Sequence, residues 1–120
     1  MPAPTMFIVY VADAPAAARF YGDLFDMTPV FENPGFFAFD LGGGVQLALW
    51  RSPAGDLATT PRTSELCLTL PGDPTVIDEL FAAWKGRGVT VVSEPEDAVF
   101  GRTFVVADPD GNLIRVAPVD

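Results

Sequence analysis

An order of strand and helix patterns occurs twice along the 120 residues of this chain, and it restricts the possible folds more strongly than composition does. Each occurrence begins with a strand-sized apolar run, continues with an amphipathic helix and ends with three more strand patterns. A connector without periodicity, at about residues 52–63, separates the two occurrences and contains Pro53, Gly55 and Pro61. A repeat spacing of roughly 60 residues indicates a duplicated supersecondary unit. We therefore predict one α+β domain, residues 1–120, with two tandem βαβββ modules at about residues 5–51 and 64–118.

The first module is predicted to open with a strand from Met6 to Val11. Asp13 is placed to cap a helix from about Ala14 to Phe25, and Pro15 is tolerated in its first turn. The buried stripe of this helix is predicted to be Ala17, Phe20, Tyr21 and Leu24. Three strand candidates follow, with turn signals at 33–35 and 42–44 between them: Pro29 to Glu32, Phe36 to Leu41, and Val45 to Trp50.

The second module repeats this order. A strand is predicted from Glu65 to Leu70, and Asp73-Pro74 opens a helix from about Thr75 to Gly86. Its buried face is predicted to be Val76, Leu80, Phe81 and Trp84. The remaining strand candidates are Val89 to Ser93, Thr103 to Ala107 and Leu113 to Ala117, with a tight turn at 108–111. One helix covers one face of each mixed sheet, so the other face is expected to curl into a groove, and two grooves to form a ligand cup.

The absence of histidine excludes several kinds of site. Ser-His-Asp and Cys-His catalysis, HExxH zinc sites and the two-His-one-carboxylate iron triad all need that side chain. Seven basic residues against sixteen acidic ones give a net charge of −9. Because nucleic acids and anionic membranes are bound by neutralising phosphates, we expect neither as a partner.

Cysteine content and the N-terminus bear on the cellular compartment. Cys67 is the single cysteine, so no internal disulfide forms, and its alternating apolar segment favours a packed thiol. MPAPTM shows no signal-peptide pattern, and no apolar run approaches the ~20 residues of a membrane span. These features predict a cytoplasmic protein.

Two segments carry a resemblance to a known family. VYVADAPAAARFYGDLF at 9–25 resembles the opening strand and helix of the glyoxalase/bleomycin-resistance/extradiol-dioxygenase (vicinal-oxygen-chelate) superfamily, and FVVADPDGNLIRV at 104–116 resembles its closing hairpin. Within it, the chain is most similar to the phenazine-antibiotic resistance proteins, through VQLALW, SELCLTLP and VFGRTFVVADPDGNLIRVAPVD.

The resemblance implies a position for each metal ligand of the superfamily's enzymes. Those positions fall on Met6, Gln46, Glu65 and Arg115. A thioether is a poor ligand for hard divalent metals and a guanidinium repels them, so we predict no metal and no cofactor. Glu65 and Arg115 are instead expected to form an ion pair where the metal would sit; the alternative is that each points to solvent.

Strand alternation places Trp50, Gln46 and Ala48 on one face. Trp50 is the leading candidate to stack on a flat ligand. The alternative is that it packs in the core or in a dimer interface. Trp84, Phe20 and Tyr21 are predicted to be core. Phe37 and Phe39 share a face and Phe36 lies on the other, but alternation leaves open which face is buried.

The family resemblance implies that the segment from Phe100 to Phe104 borders the ligand cup. Arg102 in this segment is interpreted either as a ligand contact or as a surface side chain. The same two interpretations apply to Arg51. The candidate ligand-binding set is Met6, Ile8, Gln46, Ala48, Trp50, Glu65, Phe100, Arg102, Phe104 and Arg115. We assign no catalytic residue.

The function these features favour is metal-independent sequestration of a small planar aromatic antibiotic, phenazine-like, by a homodimer. One alternative is a lyase, isomerase or dioxygenase of the same superfamily, with a metal or with Glu65 or Tyr10 as acid or base. Others are a binder of a cationic bleomycin-like drug and a scaffold without a small ligand. The superfamily's chemistries vary on one fold, so the site must decide among them.

Overall fold

A computed structural model of the chain describes residues 2–52 and 57–119. The chain divides into two compact units, Met1–Thr59 and Thr60–Asp120, which correspond to the two predicted modules. Residues 53–56 of the predicted connector lie outside the described residues. Leu57–Thr59 forms a short 3-10 helix.

The first unit has the predicted βαβββ order: β1 (Met6–Val11), α1 (Ala14–Phe25), β2 (Phe31–Asn33), β3 (Phe36–Gly42) and β4 (Val45–Arg51). The strands form one open mixed sheet in the order β1-β4-β3-β2, in which β1 runs parallel to β4. Both β1 and α1 have the predicted bounds. Strand β2 begins later than predicted, because Pro29 has no N–H to contribute to a ladder.

Helix α1 is fixed at both ends by local hydrogen bonds. The Asp13 carboxylate accepts a hydrogen bond from the Ala16 amide at 3.0 Å, which confirms the predicted cap. Asp26 ends the helix in the left-handed conformation, with φ of 54°. The buried stripe consists of Ala14, Ala17, Ala18, Tyr21 and Leu24. Phe20 is only half-buried, so its prediction as core is wrong: Ala18 lies on the covered face instead.

The second unit contains β5 (Glu65–Leu70), α2 (Thr75–Gly86), β6 (Thr90–Ala98), β7 (Gly101–Ala107) and β8 (Leu113–Pro118). Its open mixed sheet has the equivalent order β5-β8-β7-β6, with β5 parallel to β8. Strand β6 is longer than predicted. The pairing of β6 with β7 shifts register on either side of Ser93. Such bulges allow the strand to contain Pro95, which cannot donate a ladder hydrogen bond.

The core of the second unit lies between α2 and one face of its sheet. The Phe104 ring packs edge-on against Trp84 and Phe81, at centroid distances of 5.7 and 5.3 Å. The core role of Trp84 is thereby confirmed. Ile77 is buried although the predicted face omits it, whereas Val76, Leu80 and Phe81 of the predicted face are only half-buried. The Asp73 carboxylate accepts a hydrogen bond from the amide of Thr75, the first residue of the helix, at 2.9 Å.

The predicted turn at 108–111 is present and built around a buried carboxylate. Asp108 accepts hydrogen bonds from the Asp110 and Asn112 amides at 2.9 and 2.8 Å, and from the Asn112 side chain at 2.8 Å. Arg62 donates to the Asn112 side chain at 2.8 Å and to the Asp110 carbonyl at 2.6 Å. The segment before β5 is thus tied to the β7–β8 turn.

In each unit the helix packs on one face of the sheet and does not cover the other. These uncovered faces carry most of the candidate residues. No helix in the described residues is both long and apolar enough to cross a membrane.

Candidate ligand-binding site

The uncovered face of the first sheet, here called the aromatic face, is defined by Met6, Ile8, Tyr10, Phe31, Phe36, Gln46, Ala48 and Trp50. Strand register arranges these side chains in rows across the sheet. Ile8 is level with Ala48, and Tyr10 is level with Trp50. On the other side of β4, Phe36 is level with Trp50. The predicted grouping of Gln46, Ala48 and Trp50 on one face is therefore confirmed.

Four aromatic rings on this face form a continuous series across all four strands. The Trp50 ring lies 6.2 Å from Tyr10 with an angle of 25° between the planes. Its other neighbour, Phe36, lies edge-on at 5.9 Å, and Phe36 contacts Phe31 at 5.9 Å. Trp50 is 45% exposed, which excludes the alternative that it is a core residue.

Small side chains lie at the centre of the aromatic face. Ala48 and its neighbour Ala38 on β3 have exposures of 0% and 1%. Ile8 and Phe31 lie on either side of them and are exposed. The two alanines have almost no accessible surface, so the larger exposed side chains around them form the accessible part of the face.

At the Trp50 end of the face there is an open cavity of about 510 Å³. The Phe36 and Trp50 rings line it. Its polar contributions come from Asn33, Arg51 and Ser52. The cavity thus combines two aromatic walls with polar groups, the usual composition of a small-molecule site.

Tyr10, Phe31 and Phe36 belong to the aromatic face but are absent from the candidate set. Strand alternation predicts that Tyr10 lies on the same face as Met6 and Ile8, because the three residues occupy every second position of β1. Its position beside Trp50 follows only from the β1–β4 register. For Phe36, the buried positions of Phe37 and Phe39 decide the face that alternation leaves open.

The uncovered face of the second sheet carries an ion pair, and we call it the charged face: Glu65, Cys67, Thr103 and Arg115. Arg115 Nε donates to Glu65 Oε1 at 2.7 Å, and Nη2 donates to Oε2 at 3.1 Å. The predicted ion pair is confirmed, and it is bidentate. Arg115 Nη1 also donates to the Thr103 hydroxyl at 3.1 Å.

This pair keeps both of its members ionised. The hydrogen bond from Arg115 lowers the pKa of the Glu65 carboxyl below its ordinary value of 4.5, against a smaller opposing effect of burial. The same hydrogen bond raises the pKa of Arg115. The Phe100 ring, 5.8 Å from Arg115 Cζ, adds a cation–π contact. Glu65, Phe100 and Arg115 are therefore brought together.

Two predicted ligand residues lie elsewhere. Phe104 is fully buried against α2, so it is a core residue and does not line an uncovered face. Arg102 is on the same helix-covered side, where it bonds Asp78 on α2 at 3.1 Å and Asp97 at 3.3 Å. Both corrections have one cause: residues 102, 104 and 106 alternate toward the helix, and residues 103 and 105 alternate away from it.

Cys67 is exposed, and the prediction that it packs in the core is wrong. It is level with Arg115 in the β5–β8 pairing, on the face that α2 does not cover. The thiol therefore belongs to the charged face, beside the ion pair.

The sequence profile of the Glyoxalase/Bleomycin resistance protein/Dioxygenase superfamily matches residues 4–116. The chain belongs to this superfamily. Among curated relatives, the phenazine antibiotic resistance protein EhpR of Enterobacter agglomerans is 39% identical over 120 residues, which cover 98% of this chain and 92% of EhpR.

Two solved structures share the fold of this chain over nearly its whole length. Protein ATC0852 of Agrobacterium tumefaciens, solved by NMR in solution, is 35% identical with a TM-score of 0.81, covering 100% of this chain and 99% of that one. A glyoxalase-related enzyme of Fulvimarina pelagi has a TM-score of 0.82 at 24% identity, covering 99% and 89%. This second likeness concerns the fold alone.

The superfamily's metal does not fit the residues of this chain. Among the described residues, no group of three or more His, Cys, Asp or Glu side chains is arranged to hold a metal ion. Of the four implied positions, Glu65 has both carboxylate oxygens bonded to Arg115, which is itself a permanent cation. Met6 and Gln46 are a thioether and an amide on neighbouring strands. This set lacks the anionic or imidazole ligands that a catalytic divalent metal requires.

Proposed function

We propose that this chain binds and sequesters a small planar aromatic antibiotic of the phenazine type, without a metal and without chemical change. The observation that carries the proposal is the series of four rings on the aromatic face, centred on Trp50, of which three are exposed and Phe36 is half-buried. Isolated exposed aromatic residues are ordinary on protein surfaces, but a contiguous exposed apolar patch marks an interaction site.

The shape of the aromatic face suits a flat ligand. Trp50 presents a ring that can stack on the ligand, and Phe36, edge-on to Trp50, presents a second ring that can meet the ligand edge. Each aromatic pair contributes about 0.5–1.5 kcal/mol beyond burial of apolar area. Several such contacts supply useful affinity without charged groups.

The relationship to EhpR supports antibiotic resistance as the biological role. That relative is a phenazine antibiotic resistance protein, and the two chains are related over nearly their full lengths. Protection by sequestration needs affinity and sufficient protein, and it needs no turnover. The absence of histidine is compatible with such a role.

Acid–base catalysis by Glu65 is not favoured by its surroundings. Both of its oxygens accept hydrogen bonds from Arg115, and the lowered pKa makes the carboxylate a weak base. Tyr10, the other candidate, contributes a ring to the aromatic face. Binding therefore explains both residues better than catalysis does.

We also propose that the protein acts as a homodimer in the cytoplasm. The large apolar side chains exposed on the aromatic face, among them Met6, Ile8, Tyr10 and Phe31, would be partly covered in an assembly.

The test is a calorimetric titration of chelator-treated protein with phenazine. Saturable binding is expected without added metal, and Trp50→Ala should weaken it by about tenfold or more, because it removes the central stacking ring. Trp50→Phe, which keeps a ring, should lose less. Heat is measured rather than fluorescence alone, because the substitution also removes a fluorophore.

Phe7→Ala is the matched control. Phe7 is a comparably exposed ring, 51% against 45% for Trp50, but it is level with Leu47 on the opposite side of the sheet. This variant should bind phenazine as the native protein does. Equal losses in both variants, or binding that requires a divalent metal, would refute the proposal. Preferential binding of bleomycin would favour the cationic-drug alternative.

A further inference from the structure

The cavity at the Trp50 end of the aromatic face differs in charge from the rest of the chain. The chain has sixteen acidic and seven basic residues, yet no acidic residue is among the described residues that line this cavity. The one charged residue among them is Arg51, which follows Trp50 and ends β4. A cavity that contains a cation and no carboxylate attracts anions, although the protein as a whole is negative.

The guanidinium of Arg51 is available to a ligand. The residue is exposed, and its side chain forms no ion pair or hydrogen bond with any described residue. Other arginines are already engaged: Arg102 and Arg115 pair with carboxylates, and Arg62 bonds the β7–β8 turn. The N–H donors of a guanidinium match the two oxygens of a carboxylate, which is the anion that arginine binds with the best geometry.

Asn33 adds uncharged donors to the same cavity. Its side-chain oxygen accepts a hydrogen bond from the Gly35 amide at 2.9 Å, which fixes the orientation of the amide group. The two N–H groups of Nδ2 have no partner among the described residues. The Arg51 amide in turn donates to the Gly35 carbonyl at 2.9 Å. One glycine therefore joins the backbone of Arg51 to the side chain of Asn33.

Aromatic walls and unpartnered donors together define one class of ligand. Phe36 and Trp50 offer surface to a planar ring, and the free polar groups of Arg51 and Asn33 are donors. A carboxylate on the ring would accept from these donors. An ammonium group would instead meet Arg51 as a like charge.

We infer that the cavity selects planar aromatic carboxylates, and that Arg51 and Asn33 determine this specificity by binding the carboxylate. The inference rests on the proposed function, because it names the members of the ligand class that bind most tightly. The stacking rings supply affinity for any flat ligand, and the two donors distinguish an anionic ligand from an uncharged one.

The experiment is a calorimetric titration of phenazine-1-carboxylate and uncharged phenazine at neutral pH. The native protein should bind the carboxylate about tenfold more tightly, because the hydrogen bonds to it are charge-assisted. Arg51→Gln should abolish this preference. Asn33→Asp keeps an acceptor for the Gly35 amide but replaces the donor with an anion, so it should weaken carboxylate binding more than binding of uncharged phenazine.

Arg19→Gln is the matched control. Arg19 is an exposed residue of α1 without an ion pair among the described residues, and it does not line this cavity. All three variants make the net charge more negative by one unit, but this one should keep the preference for the carboxylate. An equal loss in Arg19→Gln would show that net charge sets the preference and would overturn the inference. Thermal unfolding verifies that each variant is folded.

Failure of the proposed function has a separate signature. It would be an absence of saturable binding of either phenazine, or binding that Trp50→Ala leaves unchanged. The inference alone fails if uncharged phenazine binds through Trp50 but Arg51→Gln does not alter the preference for the carboxylate.

Discussion

At the scale of single residues, Gly101 shows how backbone conformation supports the charged face. It begins β7 directly after Phe100, with φ of +120°, a conformation that other residues rarely adopt. A Cβ built on it would lie 2.8 Å from Pro118 Cγ on β8. The close approach of β7 to Pro118 and the positive φ therefore both require a glycine at position 101.

Gly101→Ala should lower the free energy of unfolding by about 1–3 kcal/mol, through backbone strain and the contact with Pro118. Urea unfolding measures this change. Gly44→Ala is the control, because Gly44 has φ of +81° but a Cβ added to it would meet nothing within 4 Å. It carries strain without a clash and should lose less stability; an equal loss would show that the Pro118 contact has no effect.

At the scale of elements, the Glu65–Arg115 pair joins two strands. Glu65 begins β5, and Arg115 is on its parallel neighbour β8, two residues beyond the position level with Glu65. Because Arg115 lowers the pKa of Glu65 in the folded state, the unfolded chain binds more protons as the pH falls. The stabilisation is present above the ordinary pKa of 4.5 and is lost as the pH falls through the lowered folded value.

The native protein should therefore exceed Glu65→Gln in unfolding free energy at neutral pH, and the difference should shrink at acid pH. Both side chains are about one-third exposed, 28% and 33%, so solvent screening keeps the difference small. It is measured by chemical denaturation across a pH series, with Glu79→Gln as reference. A difference that does not vary with pH would contradict the assignment of the shift to this pair.

Elements are predicted best from sequence where local signals and periodicity agree. For α1, the Asp13 cap marks the start and the apolar stripe gives the extent, and β1, β5 and α2 also have their predicted bounds. The predicted β6 is too short, because Glu94, Pro95 and Glu96 resemble a loop locally. Pairing with β7, a non-local interaction, keeps them in the strand.

At the scale of the whole molecule, the proposed homodimer is directly testable. Sedimentation equilibrium should give twice the 12.8 kDa mass of one chain, since association would cover exposed apolar side chains such as Ile8 and Phe31. Adding charge to this surface, as in Phe31→Glu, should shift the equilibrium toward the single chain. A mass of one chain at all concentrations would contradict the proposal.

The amino-acid pattern alone establishes the duplicated βαβββ order, the absence of histidine chemistry and the pairs of residues that share a strand face. These are local properties, because alternation and helical periodicity follow from backbone geometry. Composition can be read from the sequence whatever the fold. The same pattern carries the family resemblance through 9–25 and 104–116, which the superfamily match at 4–116 confirms.

Which face of each sheet the helix covers is settled by tertiary packing and not by any local pattern. Alternation places Phe36 and Phe37 on opposite faces of the sheet, and it does the same for Thr103 and Phe104. It does not tell which of the two faces the helix covers. The choice depends on how α1 and α2 pack and on the non-local register that places Tyr10 beside Trp50 and Glu65 near Arg115. Those contacts join residues about 40 to 50 positions apart, beyond the reach of periodicity along one element.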